Sequence, residues 1–497
     1  MKAKIAIHWI NINLMANDNE HSYQNGADES LLPPKVFANS SYSETKQLKV
    51  YKKRWYILLV YCVNVILQNV MWNTWGPIEA TARAVYKWDS YVIDLLAAWG
   101  SMMYCVTMVP FAWVMDVKGL RVTMLLSAGM AVVGSVLRSI PVGNTQVSTI
   151  LIHCGQIIID LMGPVCMAAP PLLSSTWFPP HQRTTATAIM TVAYYVGTAG
   201  SFLIGPAFVD DVKTTDIPKV GDNYRLNTTE EDKYQTQISS LLYFEAALQV
   251  AVFILIAVYY PSRPPIPPSA SAGTGRIDFK SGAKALLKNY NFLLLSIIYG
   301  ASTGVYGGWC SVLYQNLSDY GISVDEKFAA WLGFVAVISG SISGVLFSSL
   351  ADHFSRHMKS FLIVFMALSF FTTLSICYIF TGVFAFNEIL VYVVFGLSGF
   401  FLIGTVPFFF ELGVEIAYPV AEGITSGVTT FFNNFLQTIF LAVPLGNLGT
   451  KWMLWTTVIT CAVSTVLLLF VKEEYNRSSV DQRARRGSDY TPDTVNS

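Results

Sequence analysis

Twelve apolar stretches, each long enough to cross a bilayer as a helix, constrain this chain of 497 residues more than any other feature. A helical span needs about 20 mostly apolar residues. Such runs fall at roughly 55–77, 91–115, 120–140, 147–170, 184–207 and 240–260. Six more fall at 292–314, 328–351, 359–381, 388–411, 424–446 and 452–471. In lipid each run must satisfy its own backbone polar groups, which a helix does. Only 13% of the residues are charged, against about 25% in soluble domains. The net charge is zero, so nothing points to nucleic acid. Cys62, Cys105, Cys154, Cys166, Cys310, Cys377 and Cys461 all lie in apolar runs, and none form CxxC pairs. They read as buried thiols, neither a disulfide framework nor a metal site.

The predicted fold class is an all-α membrane protein, with twelve transmembrane helices in two six-helix halves. The expected organisation is a cytosolic tail 1–54, a first half 55–260, a cytosolic linker 261–290, a second half 291–471 and a cytosolic tail 472–497. With both termini in the cytosol, that side holds 23 of the 32 Lys and Arg and the other side nine. The positive-inside rule favours this orientation. Lys2 and Lys4 before Ile5–Ile12 resemble a signal peptide, but His8 and Asn11 interrupt the run and no cleavage site follows, so a tail or a start at Met15 is the simpler reading. Loop 209–238 is then lumenal; it is acidic and carries the sequon Asn227-Thr228-Thr229, a glycosylation acceptor in a secretory lumen. The linker opens Pro261-Ser262-Arg263-Pro264-Pro265-Ile266-Pro267-Pro268, which cannot continue a helix. Arg276, Lys280, Lys284 and Lys288 follow at helical spacing, suggesting a short amphipathic helix on the membrane surface or an ordinary solvated face.

Between the second and third runs lies Asp116-Val117-Lys118-Gly119-Leu120-Arg121. So short a connection forces two helices side by side and antiparallel. A related segment, Asp352-His353-Phe354-Ser355-Arg356 with Lys359, returns 236 residues later, close to half the chain. That recurrence suggests a two-fold repeated transporter. No nucleotide-binding glycine loop, catalytic triad or metal cluster is visible, so the expectation is a carrier needing no cofactor, and neither an enzyme nor an ATP-driven pump.

Twelve spans with this loop and its echo resemble the major facilitator superfamily. Ala112 and Ser348 stand where the superfamily usually has glycine. Trp72-Asn73-Thr74-Trp75-Gly76-Pro77, Thr176-Trp177-Phe178, Arg263–Pro268 and Glu415–Thr425 resemble solute carrier family 49 over about 50–475. The resemblance implies a lysosomal or plasma-membrane carrier of small organic solutes such as haem, choline or ethanolamine. The branch this chain most resembles is lysosomal and linked to proton-coupled pyridoxine export. Asp28-Glu29-Ser30-Leu31-Leu32 resembles an acidic dileucine signal, with Ala27 at the usual acidic place, so Leu31 and Leu32 are candidates to meet a sorting adaptor.

Carriers of this kind bind solute near the bilayer midplane between their halves. Expected solute contacts on the first span are Gln68, Asn69, Trp72, Asn73 and Trp75; Gln68, Trp72 and Trp75 share one helix face. That face suits a flat aromatic or cationic solute, although Trp72 and Trp75 also suit an interfacial aromatic belt. On the seventh span Tyr306 and Trp309 are candidates, beside Tyr299 and Thr303. Ionisable groups within spans are costly and point to function, so Glu245, Asp160 and His153 are the expected proton-coupling groups. Asp116, Arg121, Asp352, Arg356, Glu415 and Glu422 are expected to gate the cytosolic end, with Asp116 meeting the helix start near Glu422 and Asp352 meeting the fifth span near Arg183.

Overall fold

A computed structural model describes residues 48–210, 219–220, 223–224, 228–273, 277–311, 313–322, 326–353, 357–442 and 451–488. Twelve long helices make up its first half, α1 Lys53–Trp72, α2 Ser90–Trp113, α3 Leu120–Arg138, α4 Thr145–Trp177, α5 Arg183–Phe208 and α6 Thr228–Val258, and its second half, α7 Tyr290–Ser311, α8 Glu326–His353, α9 Met358–Phe380, α10 Glu388–Ala417, α11 Glu422–Ala442 and α12 Lys451–Phe470. Ten contain windows apolar enough to cross a membrane. In α8 the apolar stretch is shorter, Trp331–Phe347. α11 is more polar, carrying Thr425, Ser426, Thr429, Thr430, Asn433 and Asn434. A two-residue strand pair, Lys219–Val220 with Asn223–Tyr224, is the one departure from helix and loop among the described residues.

The two halves repeat one packing plan. α1 packs on α5 as α7 packs on α11, and α3 packs on α6 as α9 packs on α12. Lipid tails give no hydrophobic drive between helices, so small residues set the close approaches. A Cβ on Gly134 of α3 would lie 2.5 Å from the Gly155 carbonyl of α4, and one on Gly155 would lie 2.6 Å from the Gly134 carbonyl. Gly300 and Gly304 of α7 meet the α11 backbone at Phe432 and Asn433 in the same way.

Three spans are broken near their middles. α4 divides into Thr145–Asp160 and Gly163–Trp177, where Pro164 offers no N–H to the turn before it. α10 divides into Glu388–Ile403 and Val406–Ala417, just ahead of Pro407. α7 widens into a π-helical turn at Gly300–Gly304. The α4 and α10 breaks occupy corresponding places in the two halves. Discontinuous helices at matched positions are a mark of carrier binding sites.

Two segments differ from the sequence-based expectation. α6 begins at Thr228, so eleven residues assigned to loop 209–238 are helical; Glu230 and Glu231 in the first turn favour the exposed N–H groups there. The C-terminal segment contains α13, Asn476–Ser488, which docks on the bundle. The linker does form a helix, Phe279–Lys288. All seven cysteines are free thiols, but Cys154 is exposed, because an apolar run also has a face turned out from the bundle.

Candidate functional site

A cleft lies between the halves at the level of the helix breaks. Cys166, Met167 and Pro170 of α4, Thr191, Tyr194 and Tyr195 of α5, Tyr299 of α7, and Val406 and Phe410 of α10 line it. Its cavity volume is about 20 Å³. Tyr194 and Tyr195 meet edge to face, and Tyr299 packs on Phe409 and Phe410. Three phenols and a phenyl ring therefore face a small volume.

Two buried polar threads reach this cleft from inside the first half, each built on pairs four residues apart. In one, the Gln249 amide of α6 donates to Asn64 of α1 (3.2 Å), and Asn64 donates to Gln68 (3.2 Å). Ser127 of α3 and the Cys166 thiol of α4 donate to the same Gln68 carbonyl (3.3 and 2.6 Å). The Gln68 Nε2 has no hydrogen-bond partner among the described residues. Cys166 connects this thread to the cleft wall.

The second thread holds the charges. Glu245 of α6 pairs with Arg138 of α3, both 3% exposed. Thr74 also donates to both Glu245 carboxylate oxygens, at 2.9 and 3.2 Å. Arg138 donates further to the Met71 carbonyl (2.8 Å) and to Gln156 of α4 (3.0 Å). The Gln156 amide then reaches Asp160, at 3.3 and 3.4 Å to its two oxygens. Asp160 is the last residue before the α4 break, and it lies within electrostatic range of Arg138, Cys166 and Tyr194. Arg138 did not stand out in the sequence because it falls at the edge of its apolar run, where a snorkelling arginine is unremarked. His153, one helical face along from Asp160, is half-buried and accepts the Trp99 indole N–H at Nδ1 (3.1 Å).

The expected solute contacts are more dispersed. Gln68 is in the amide thread. Asn69 donates to the Val65 carbonyl of its own helix, with its Cβ against Gly197 of α5. The Trp72 indole lies over Gly100 of α2. Asn73 donates to Ser201 of α5 (2.7 Å). Trp75 is buried between Tyr86 and Trp88. Tyr306 and Trp309 meet each other edge to face; Tyr306 accepts from Ser398 (3.4 Å), while Trp309 stacks on Phe395 and donates to Asn316 (3.2 Å). None of these seven is in the cleft wall. Of the seventh-span residues, Tyr299 is.

The halves close together at the end carrying Asp116. Its two carboxylate oxygens accept the backbone N–H groups of Gly423 (2.9 Å) and Ile424 (2.8 Å) in the first turn of α11, which begins with Glu422. A Cβ on Gly423 would collide with that carboxylate. Farther in, the Tyr104 hydroxyl of α2 bonds to Thr430 of α11. Arg121 donates to the Ala257 carbonyl (3.2 Å), and its backbone N–H to Ser262 of the linker (3.0 Å). Arg183 of α5 is taken by Asp481 of α13 (3.1 Å), Ser269 and Ser271. Glu415 of α10 accepts from Arg477 (3.2 Å) and from Ser478, while Glu411 accepts from Arg477 (2.6 Å) and Thr187 of α5 (2.6 Å). Burial works to lower the Arg477 guanidinium, but the facing Glu411 and Glu415 outweigh it and hold it well above its ordinary value. Arg356, Asn227, Leu31, Leu32 and the side chain of Asp352 lie outside the described residues.

Residues 56–441 match the Major Facilitator Superfamily. The chain is 35% identical over 441 residues to the solute carrier family 49 member 4 homolog of Xenopus laevis, covering 87% of this chain and 94% of that protein. The chain belongs to solute carrier family 49 of the major facilitator superfamily. It is also 28% identical to the choline/ethanolamine transporter FLVCR1 of Mus musculus, over 86% of this chain and 77% of that one. Among solved structures it is similar to the E. coli fucose:proton symporter FucP, with a TM-score of 0.62 at 13% identity, over 85% of this chain and 100% of that one. The proton:xylose symporter XylE gives 0.60 at 13% identity, over 87% of this chain and 98% of that one. At such identity the likeness to solved structures concerns the fold. As a family 49 protein the chain is a multi-pass carrier of small solutes, and the inter-halves cleft is its candidate solute site.

Proposed function

We propose that this chain is a secondary active carrier that exports a pyridoxine-like vitamer from the lysosome to the cytosol with protons, by alternating access. The observation that carries the reading is the small cleft between the halves, walled by Tyr194, Tyr195, Tyr299 and Phe410 beside the buried Asp160. Aromatic faces hold a flat ring by stacking. The cavity, about 20 Å³ in this closed arrangement, is far below the range of about 300–1,000 Å³ common for drug-sized ligands, so the cleft must widen to admit any solute.

The two buried carboxylates divide the labour. Glu245 is held by Arg138 and Thr74, so it braces α1, α3 and α6. Asp160 has one amide partner and lies nearer the cleft, so it takes and releases the proton. The end carrying Asp116 faces the cytosol and is closed here, which corresponds to a carrier shut on the side of release.

A second reading is a choline or ethanolamine carrier. It is favoured by the similar FLVCR1 and by the three tyrosines, whose faces also attract a quaternary ammonium. Purified protein in vesicles with an imposed pH step, given labelled pyridoxine, separates these. The proposal expects pyridoxine flux that choline does not inhibit. Choline flux that pyridoxine leaves unchanged supports the second reading, and binding without flux of either makes the chain a receptor or sensor.

A further inference from the structure

Five charged side chains from three parts of the chain are buried together at the closed end: Arg183 of α5, Glu411 and Glu415 of α10, and Arg477 and Asp481 of α13, each at most 5% exposed. Glu411 and Glu415 stand four residues apart, on one face of α10 turned toward the first half. Two carboxylates cannot be buried side by side without a cation. Among the described residues their ion pairs are both with Arg477, which comes from the C-terminal segment and not from either half. Ser478 adds its backbone N–H (3.0 Å) and hydroxyl (2.7 Å) to Glu415. One turn on, Asp481 grips the first half through Arg183 (3.1 Å) and the linker through the Ser271 N–H (2.8 Å) and hydroxyl (2.8 Å). A single helix thus holds the second half with its cation and the first half and linker with its acid.

We propose that α13 is a conformational strap, which locks the Asp116 end shut while docked and must let go before the carrier opens on that side. The inference rests on alternating access, but not on the identity of the cargo. Closing the end without the strap would bury Glu411 and Glu415 uncompensated. Opening it with the strap docked would pull Asp481 from Arg183 or Arg477 from the glutamates. The strap and the Asp116 cap on α11 therefore act in series with cytosolic opening.

The test uses the full chain in nanodiscs, spin-labelled at Lys118→Cys and Ser360→Cys in a Cys154→Ser background, with pulsed electron spin resonance across the Asp116 end. The unaltered strap gives one dominant short distance. Asp481→Asn loosens the grip on the first half and the linker and adds a minor long component. Arg477→Gln raises the long component at least about tenfold, as a bias of a few kcal/mol does to a two-state equilibrium. Ser478→Glu, which sets a third carboxylate against the pair, acts in the same direction. Should Arg477→Gln fail to fold, Arg477→Gln/Glu411→Gln/Glu415→Gln leaves no charge unpaired and still removes the ionic lock, so it also widens the distance. Identical distance distributions in every variant that folds overturn the strap. Altered distances in a protein that moves neither pyridoxine nor choline leave the strap standing and remove the proposed function instead.

Discussion

Glu245→Gln tests whether the Arg138 pair is a brace or a proton site. Both residues are 3% exposed, and the remaining Arg138 contacts are two neutral carbonyl oxygens and the Thr74 hydroxyl. The substitution keeps the shape and removes the counter-charge. Losing one partner of a buried pair costs about 3–5 kcal/mol, because the other charge stays buried. The amide can still accept from Arg138, which favours the low end, about 3 kcal/mol. Asp160→Asn removes a charge whose hydrogen-bond partner is one glutamine amide at 3.3–3.4 Å, so its cost is expected to be within about 1 kcal/mol. Tryptophan-fluorescence melts in detergent should therefore separate the two, with Glu245→Gln several degrees below Asp160→Asn. Arg138→Gln/Glu245→Gln, which leaves neither charge, should recover at least half of the loss. A Glu245→Gln protein melting with the unaltered one, or a double variant worse than the sum of the singles, refutes the brace.

Three further outcomes follow from named contacts. Gly423→Ala pushes the Asp116 carboxylate off the α11 start; turnover should fall roughly tenfold, the loss of an interaction of about 1.4 kcal/mol, with solute preference unchanged in competition assays. Tyr299→Ala opens the cleft wall and should raise KM about tenfold, whereas Trp309→Phe, in the packing of the second half, should alter stability and leave KM in place. Gly134→Ala forces a methyl against the Gly155 carbonyl; overpacking of this kind costs about 1–3 kcal/mol, read as a lower melting temperature.

Much of the fold was legible because spans are a matter of length and hydropathy: twelve runs read as spans, and ten of the twelve helices carry windows apolar enough to cross a membrane. The Asp116 loop was legible too, since a short charged connection has few places to go. The cleft was less so. A shared helix face groups Gln68, Trp72 and Trp75, but periodicity does not say which neighbour that face meets: Asn69 and Asn73 turn to α5, and Trp75 to a local aromatic cluster. The wall tyrosines of α5 look like ordinary apolar-run residues. Arg138 was hidden at a span edge, and Arg477 and Asp481 in a polar tail whose composition gives no sign of burial. Their partners lie 107 residues away for Arg138, and 66 and 298 away for the other two. One signal was available: Pro164 and Pro407 interrupt corresponding spans, and the cleft lies at those breaks.

Asp160 is the residue on which proton coupling turns. Purified protein in vesicles, loaded with labelled pyridoxine and given a pH step, measures coupled flux and gradient-free exchange in one preparation. Asp160→Asn should keep exchange within about threefold while losing acceleration by the gradient, because solute is held by the aromatic wall and the proton by the acid. If Asp160→Asn is driven by the pH step as strongly as the unaltered protein, the proton is carried elsewhere and the assignment fails.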